Sequence, residues 1–145
     1  MPGPPSPTTS TASTAPSPWT GSAPAIPAAP SRDYTGVWYQ PAESGRGLSL
    51  NAFGDTLFGL WFIYDQDGRG SWYQLDPAWT GPDRASGRVV RWSGTPWGPD
   101  YDPSERVLTE TGTFTLDFAS ASQATLTYNV DGVSRTVALV RIGAD

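Results

Sequence analysis

The sequence contains no cysteine, no histidine and no lysine. Without cysteine there is no disulfide framework, thiolate nucleophile or thiolate metal site, and redox chemistry says nothing about compartment. Without histidine or lysine there are no imidazole bases, Ser-His-Asp triads or Schiff bases, and zinc sites of the usual kind are excluded. Gly-rich phosphate loops of P-loop or dinucleotide spacing are missing as well. No apolar run is long enough to span a bilayer, and no signal peptide follows Met1. No cofactor is expected.

What is present divides into two parts. Of the first 32 residues, 28 are Pro, Ala, Ser, Thr or Gly; only Met1, Trp19, Ile26 and Arg32 fall outside that set. Such a stretch cannot bury enough apolar surface to offset the entropy of ordering its backbone. Residues 1–32 are therefore predicted to be a disordered tether, and residues 33–145 a single domain large enough for a modest core. Met1-Pro2-Gly3-Pro4 reads as a start placed after a processing site, with a lipid anchor or another domain expected upstream. A stalk of this kind points to an extracytoplasmic protein, secreted or attached to the cell surface.

The formal charge of −5 splits into +1 for the tether and −6 for the domain, where eight arginines face 14 acids. An acidic body argues against nucleic acid, anionic lipid or anionic polysaccharide as the main partner. Neutral and cationic partners remain, and a monomer is expected.

Nearly every segment of the domain alternates as a strand, and none shows a helical period. Gly36–Gln40, Leu48–Phe53, Thr56–Tyr64, Ser71–Asp76, Arg88–Trp92, Thr113–Phe118, Ala124–Val130 and Val133–Ile142 are the predicted strands. Thr56–Tyr64 is apolar on both faces and is expected to be the most buried. Asp65-Gln66-Asp67-Gly68 and Asp131-Gly132 read as hairpin turns. Pro77–Arg84 and Ser93–Glu105 read as loops. The fold class expected is all-β: an antiparallel meander of seven to eight strands, closed as an up-and-down barrel or folded as a two-layer sandwich.

Two resemblances follow from particular residues. Glu43-Ser44-Gly45-Arg46-Gly47, then Gly54-Asp55, Phe58, Trp61-Phe62, Tyr64-Asp65, Gly68 and Trp72, resemble a β domain that recurs in exported proteins of GC-rich proteobacteria. That resemblance implies location more than activity, and Arg46 stands where the pattern would have Trp. Gly36-Val37-Trp38 on the first strand with Arg141 on the last resembles the calycin arrangement of lipocalins and avidins. It implies a Trp packed under a basic residue from the final strand.

Two-carboxylate hydrolysis needs none of the missing residue types, with Glu43, Glu105, Glu110, Asp76 and Asp100 as its candidates. Their spacing singles out no pair, so an enzyme is not expected. Asp65–Gly68 begins like a calcium loop but lacks its glycine and closing glutamate at the required places, whereas Asp100, Asp102 and Glu105 form a second oxygen-rich cluster.

Aromatic surface is the strongest remaining signal. Sugar rings present C–H faces that pack on Trp and Tyr, while neighbouring polar side chains take the hydroxyls. Trp72, Gln74 and Asp76 alternate onto one strand face; Trp79, Trp97 and Tyr101 fall among Gly, Pro and Asp; Trp92 ends a strand leading into the same loop. These seven are the candidate ligand-binding residues. Trp38, Trp61, Phe58, Phe62, Phe114, Phe118 and Tyr128 are assigned to the core. The expected function is a non-catalytic module for neutral carbohydrate. A surface lipoprotein or antigen domain acting through protein contacts is the alternative, and a calycin-type carrier of a small hydrophobic ligand the third.

Overall fold

Period-two alternation broken by glycine and Asp-Gly turns produces eight antiparallel strands. The computed structural model describes residues 30–143. The strands are β1 (Gly36–Tyr39), β2 (Gly47–Phe53), β3 (Thr56–Tyr64), β4 (Gly70–Gly81), β5 (Arg84–Ser93), β6 (Val107–Phe118), β7 (Gln123–Val130) and β8 (Val133–Arg141). Each pairs with the next, and β8 returns to β1, placing Trp38 opposite Arg141 and Tyr39 opposite Val140. The protein is thus an all-β, closed up-and-down barrel rather than a sandwich. An eight-stranded barrel has an interior just wide enough for side chains to fill.

They do fill it. Leu48, Leu50, Leu75, Leu116 and Leu126 are buried at its centre, with Gly59 leaving room where Leu50 and Leu75 approach. The hollow between Leu48, Trp61, Leu126 and Val137 amounts to about 30 Å³, space for about one water.

One end is sealed by aromatic rings. Tyr34 stacks on Phe118 with ring centroids 3.8 Å apart, and Phe118 meets Trp38 edge-on at 5.2 Å. Trp38 Nε1 donates to the Tyr34 carbonyl at 3.0 Å. Arg141 lies over the Trp38 ring at 5.7 Å, and its Nη1 donates to the Thr35 carbonyl at 2.8 Å. The other end gathers the 3₁₀ turn Pro41–Glu43, the turn 65–69, the loop 94–106 and the turn 131–132. There Pro41, which has no N–H for β8, steers the chain away from the seam. Glu43 bridges the gap through Arg135 at 2.9 Å and Arg46 at 2.6 Å.

Three expectations are corrected. β3 is not buried on both faces: Leu57 and Trp61 point inward, but Phe62 and Tyr64 stand exposed outside, because a closed sheet has only one interior. Pro77–Arg84 is largely strand, since β4 runs to Gly81 and turns through two residues into β5. Pairing of β3 with β4 ends at Gly59–Leu75, so Pro77 lies where β4 has one neighbour, and a proline is tolerated at such an edge. β6 begins at Val107, well before Thr113, because Thr111 is an extra residue opposite Val89 and Val90 that disguises the alternation.

The predicted tether, with Trp19, lies outside the described residues except for 30–32. Ser31 belongs to the barrel: its N–H donates to the Pro82 carbonyl at 2.7 Å, and its hydroxyl bonds the Asp83 carboxylate, which also accepts from the Tyr34 hydroxyl at 2.5 Å. Among the described residues no helix is long and apolar enough to cross a membrane.

Candidate functional site

Since Tyr73 and Leu75 face the interior, Trp72, Gln74 and Asp76 must face outward from β4. On β5 the same alternation sends Val89 inward and Trp92 outward. Gln74 pairs with Val90, which brings Trp92 diagonally beside it. The Trp92 Nε1 donates to the Gln74 Oε1 at 2.8 Å, fixing both side chains.

The loop 94–106 supplies the remaining wall. Its shape is set locally: Thr95 Oγ1 accepts from the Asp102 N–H at 3.0 Å, and Arg106 Nε donates to the Pro103 carbonyl at 3.0 Å. Asp102 caps the 3₁₀ turn Pro103–Glu105 by accepting from the Ser104 N–H. Thr95, Tyr101 and Arg106 thereby close a groove of about 430 Å³ with Trp72, Gln74 and Trp92. Arg106 also sits over the Trp92 ring at 5.9 Å, in reach of a cation–π contact.

The groove is apolar on its walls and polar at its rim. Trp72 is 42 % exposed and Tyr101 48 %. Among the described residues, the Gln74 amide nitrogen, the Tyr101 hydroxyl and the Arg106 terminal nitrogens make no hydrogen bond. Flat rings beside uncommitted donors suit a ligand with C–H faces and hydroxyl edges.

Four of the seven expected residues therefore meet: Trp72, Gln74, Trp92 and Tyr101. Asp76 shares their face but is ion-paired to Arg88 at 2.9 Å and stays outside the groove. Trp97 is 95 % exposed on the same loop and does not line the groove. Trp79 is a correction. It is not in a loop but on β4 facing inward, its ring 6.0 Å from both Tyr34 and Phe118. Phe62, assigned to the core, is a second correction, because it stands outside opposite Trp72. Arg106 and Thr95 escaped sequence reasoning. The four turn-forming Gly and Pro residues between them mark a loop but do not say which way it folds back.

Of the candidate acids, Glu43, Asp76 and Glu110 are ion-paired to arginines. Arg135 and Arg46 hold the Glu43 carboxyl below its ordinary range, and the Ser104 side chain and N–H do the same for Asp102. A general acid requires a shift the other way. No three acidic residues converge as metal ligands among the described residues, Asp100, Asp102 and Glu105 included.

No protein-family description, no curated protein and no solved structure matches this chain. The chemistry of the groove has to speak for itself.

Proposed function

We propose that this protein is a non-catalytic binding module for neutral carbohydrate, carried outside the cytoplasm on its Pro/Ser/Thr/Ala-rich N-terminal segment. The observation that carries the reading is the groove itself: three aromatic rings, one held in place by Gln74, bordered by uncommitted amide, hydroxyl and guanidinium donors. The sugar face stacks on Trp72 and Tyr101, and its hydroxyls meet Gln74 and Arg106. The acidic domain disfavours polyanions, and neutral glycans match the flat rings and hydrogen-bond donors of the groove.

The test is a ¹⁵N-HSQC titration of the full chain, indole signals included, against neutral soluble oligosaccharides and peptidoglycan fragments. Saturable shifts at the Trp72 and Trp92 indoles and at Tyr101 are expected, and Trp72→Ala should weaken them by about tenfold or more. Shifts elsewhere, or none with any sugar, would sink the assignment.

A second reading, docking to a surface protein, is favoured by one observation. Phe62, 47 % exposed, pairs with Trp72 across β3 and β4, and exposed Leu108 pairs with Trp92 across β5 and β6. The apolar strip thus spans four strands, wider than one sugar ring needs. Phe62→Ser separates the two readings: it should leave a sugar site intact and weaken a protein interface.

A further inference from the structure

At the open end of the barrel a second pocket, of about 530 Å³, is distinct from the outer groove. Its floor is the Trp61 ring, with Tyr128 edge-on at 4.7 Å and Tyr73 tilted at 5.5 Å. Into it the alternation of β5 turns Arg91, two residues beyond the inward Val89.

Of the other charged side chains lining this pocket, Arg46 is ion-paired, and Asp65 and Asp131 are hydrogen-bonded to neutral donors. Arg46 is bound to Glu43. Asp65 accepts from the backbone N–H groups of Asp67 and Arg69 at 2.9 and 3.0 Å. Asp131, placed by the turn it forms with Gly132, accepts from the Tyr73 hydroxyl at 2.6 Å. Burial, and then that bond to Asp131, pushes the Tyr73 phenol up to about 12, so it stays protonated and keeps donating.

Arg91 differs. Its guanidinium lies over the Tyr73 ring, 4.5 Å from the centroid, and makes one long hydrogen bond, from Nη2 to Ser71 Oγ at 3.3 Å. It has no ion pair among the described residues, and its Nε is buried without an acceptor. A guanidinium stacked on an aromatic ring is oriented in advance, and its empty donors match the two oxygens of a carboxylate.

We infer that the barrel mouth is a binding site for a small carboxylate on an aromatic or apolar body, the carboxylate on Arg91 and the body over Trp61 and Tyr128. Below Trp61 the hollow between Leu48, Leu126 and Val137 amounts to only about 30 Å³, so the ligand is short and sits at the rim. The site is independent of the outer groove.

The probes are indole-3-acetate, the neutral indole-3-ethanol and the cationic tryptamine, titrated into the full ¹⁵N-labelled chain. The acid should shift the Trp61 indole and the Tyr73, Arg91 and Asp131 amides, and bind about tenfold or more tightly than the alcohol or the amine. Arg91→Met, which keeps the stem over Tyr73, should abolish that preference. Arg91→Lys keeps a cation and should retain part of it, which reads the site even where the Met variant does not fold. Equal binding of acid and alcohol by the native chain, tighter binding of the amine, or shifts confined to the outer groove would overturn the inference.

Discussion

Arg141, two residues before the end of the described chain, lies 5.7 Å above the ring of Trp38 and donates to the carbonyl of Thr35 at 2.8 Å. Together these contacts fasten the last strand to the first, where backbone pairing is shortest: only two residue pairs join β1 and β8. Arg141→Ala should therefore destabilise the barrel by about 2 kcal/mol, combining a lost charged hydrogen bond, a cation–π contact and stem packing. Denaturant unfolding followed by tryptophan fluorescence measures it. A cost near zero would mean that the seam is held by strand pairing alone.

The Ser31–Tyr34–Asp83 cluster predicts where the folded unit starts. A fragment of residues 30–145 should melt with the full chain, because the Ser31 contacts survive. A fragment of residues 33–145 should still fold but lose about 1 kcal/mol with the two Ser31 hydrogen bonds. Identical melting of both fragments would show those contacts to be energetically silent.

The two tryptophans with contrasting placements give a direct stability comparison. Trp97→Ala should change stability by less than about 0.5 kcal/mol, given its exposure. Trp79→Ala should cost about 2 kcal/mol or more by opening the aromatic seal. Trp79→Phe should cost much less, since it keeps a ring and removes an Nε1 that is buried without an acceptor.

Stability should be flat across neutral pH, with an edge on each side. On the acid side, Asp83 is held below its ordinary value by hydrogen bonds from Ser31 and Tyr34, and Glu43 by those from Arg135 and Arg46. Depressed folded values mean that their contribution is complete above about pH 4 and is lost as pH falls through the folded values. On the alkaline side, Tyr73 is raised from 10.0 to about 12, chiefly by burial, so its contribution is complete below pH 10 and lost towards pH 12. With no histidine or cysteine, no side chain has an ordinary value between these edges. Thermal melts from pH 3 to 11 test the plateau. Glu43→Gln should blunt the acid edge, and an absorbance titration at 295 nm should show a late tyrosine.

Much of the fold was legible residue by residue. Phe114, Leu116 and Phe118 face inward as their alternation with threonine predicts, and Ala124, Leu126, Tyr128 and Val130 follow suit. The Asp131-Gly132 hairpin is where the turn chemistry put it, with positive φ at both residues. Half of the groove was legible too, because Trp72 and Gln74 share a face by period two alone. Harder to read were segments apolar on both sides. Phe62 and Trp61 are neighbours of similar hydrophobicity, and only the curvature of the sheet decides that Trp61 is core and Phe62 is surface.

The number of strands, the Asp-Gly hairpins and the absence of imidazole, thiol and amine chemistry were readable from sequence, because alternation, turn preference and missing residue types are local properties. Closure of the sheet, the place of Trp79 at one end, the fold of loop 94–106 back over Trp72 and Trp92, and the turn of Arg91 into an aromatic mouth came from the three-dimensional packing. Those outcomes rest on contacts between residues far apart in the chain, such as Trp38 with Arg141, and period two says that faces alternate without saying which face becomes the inside.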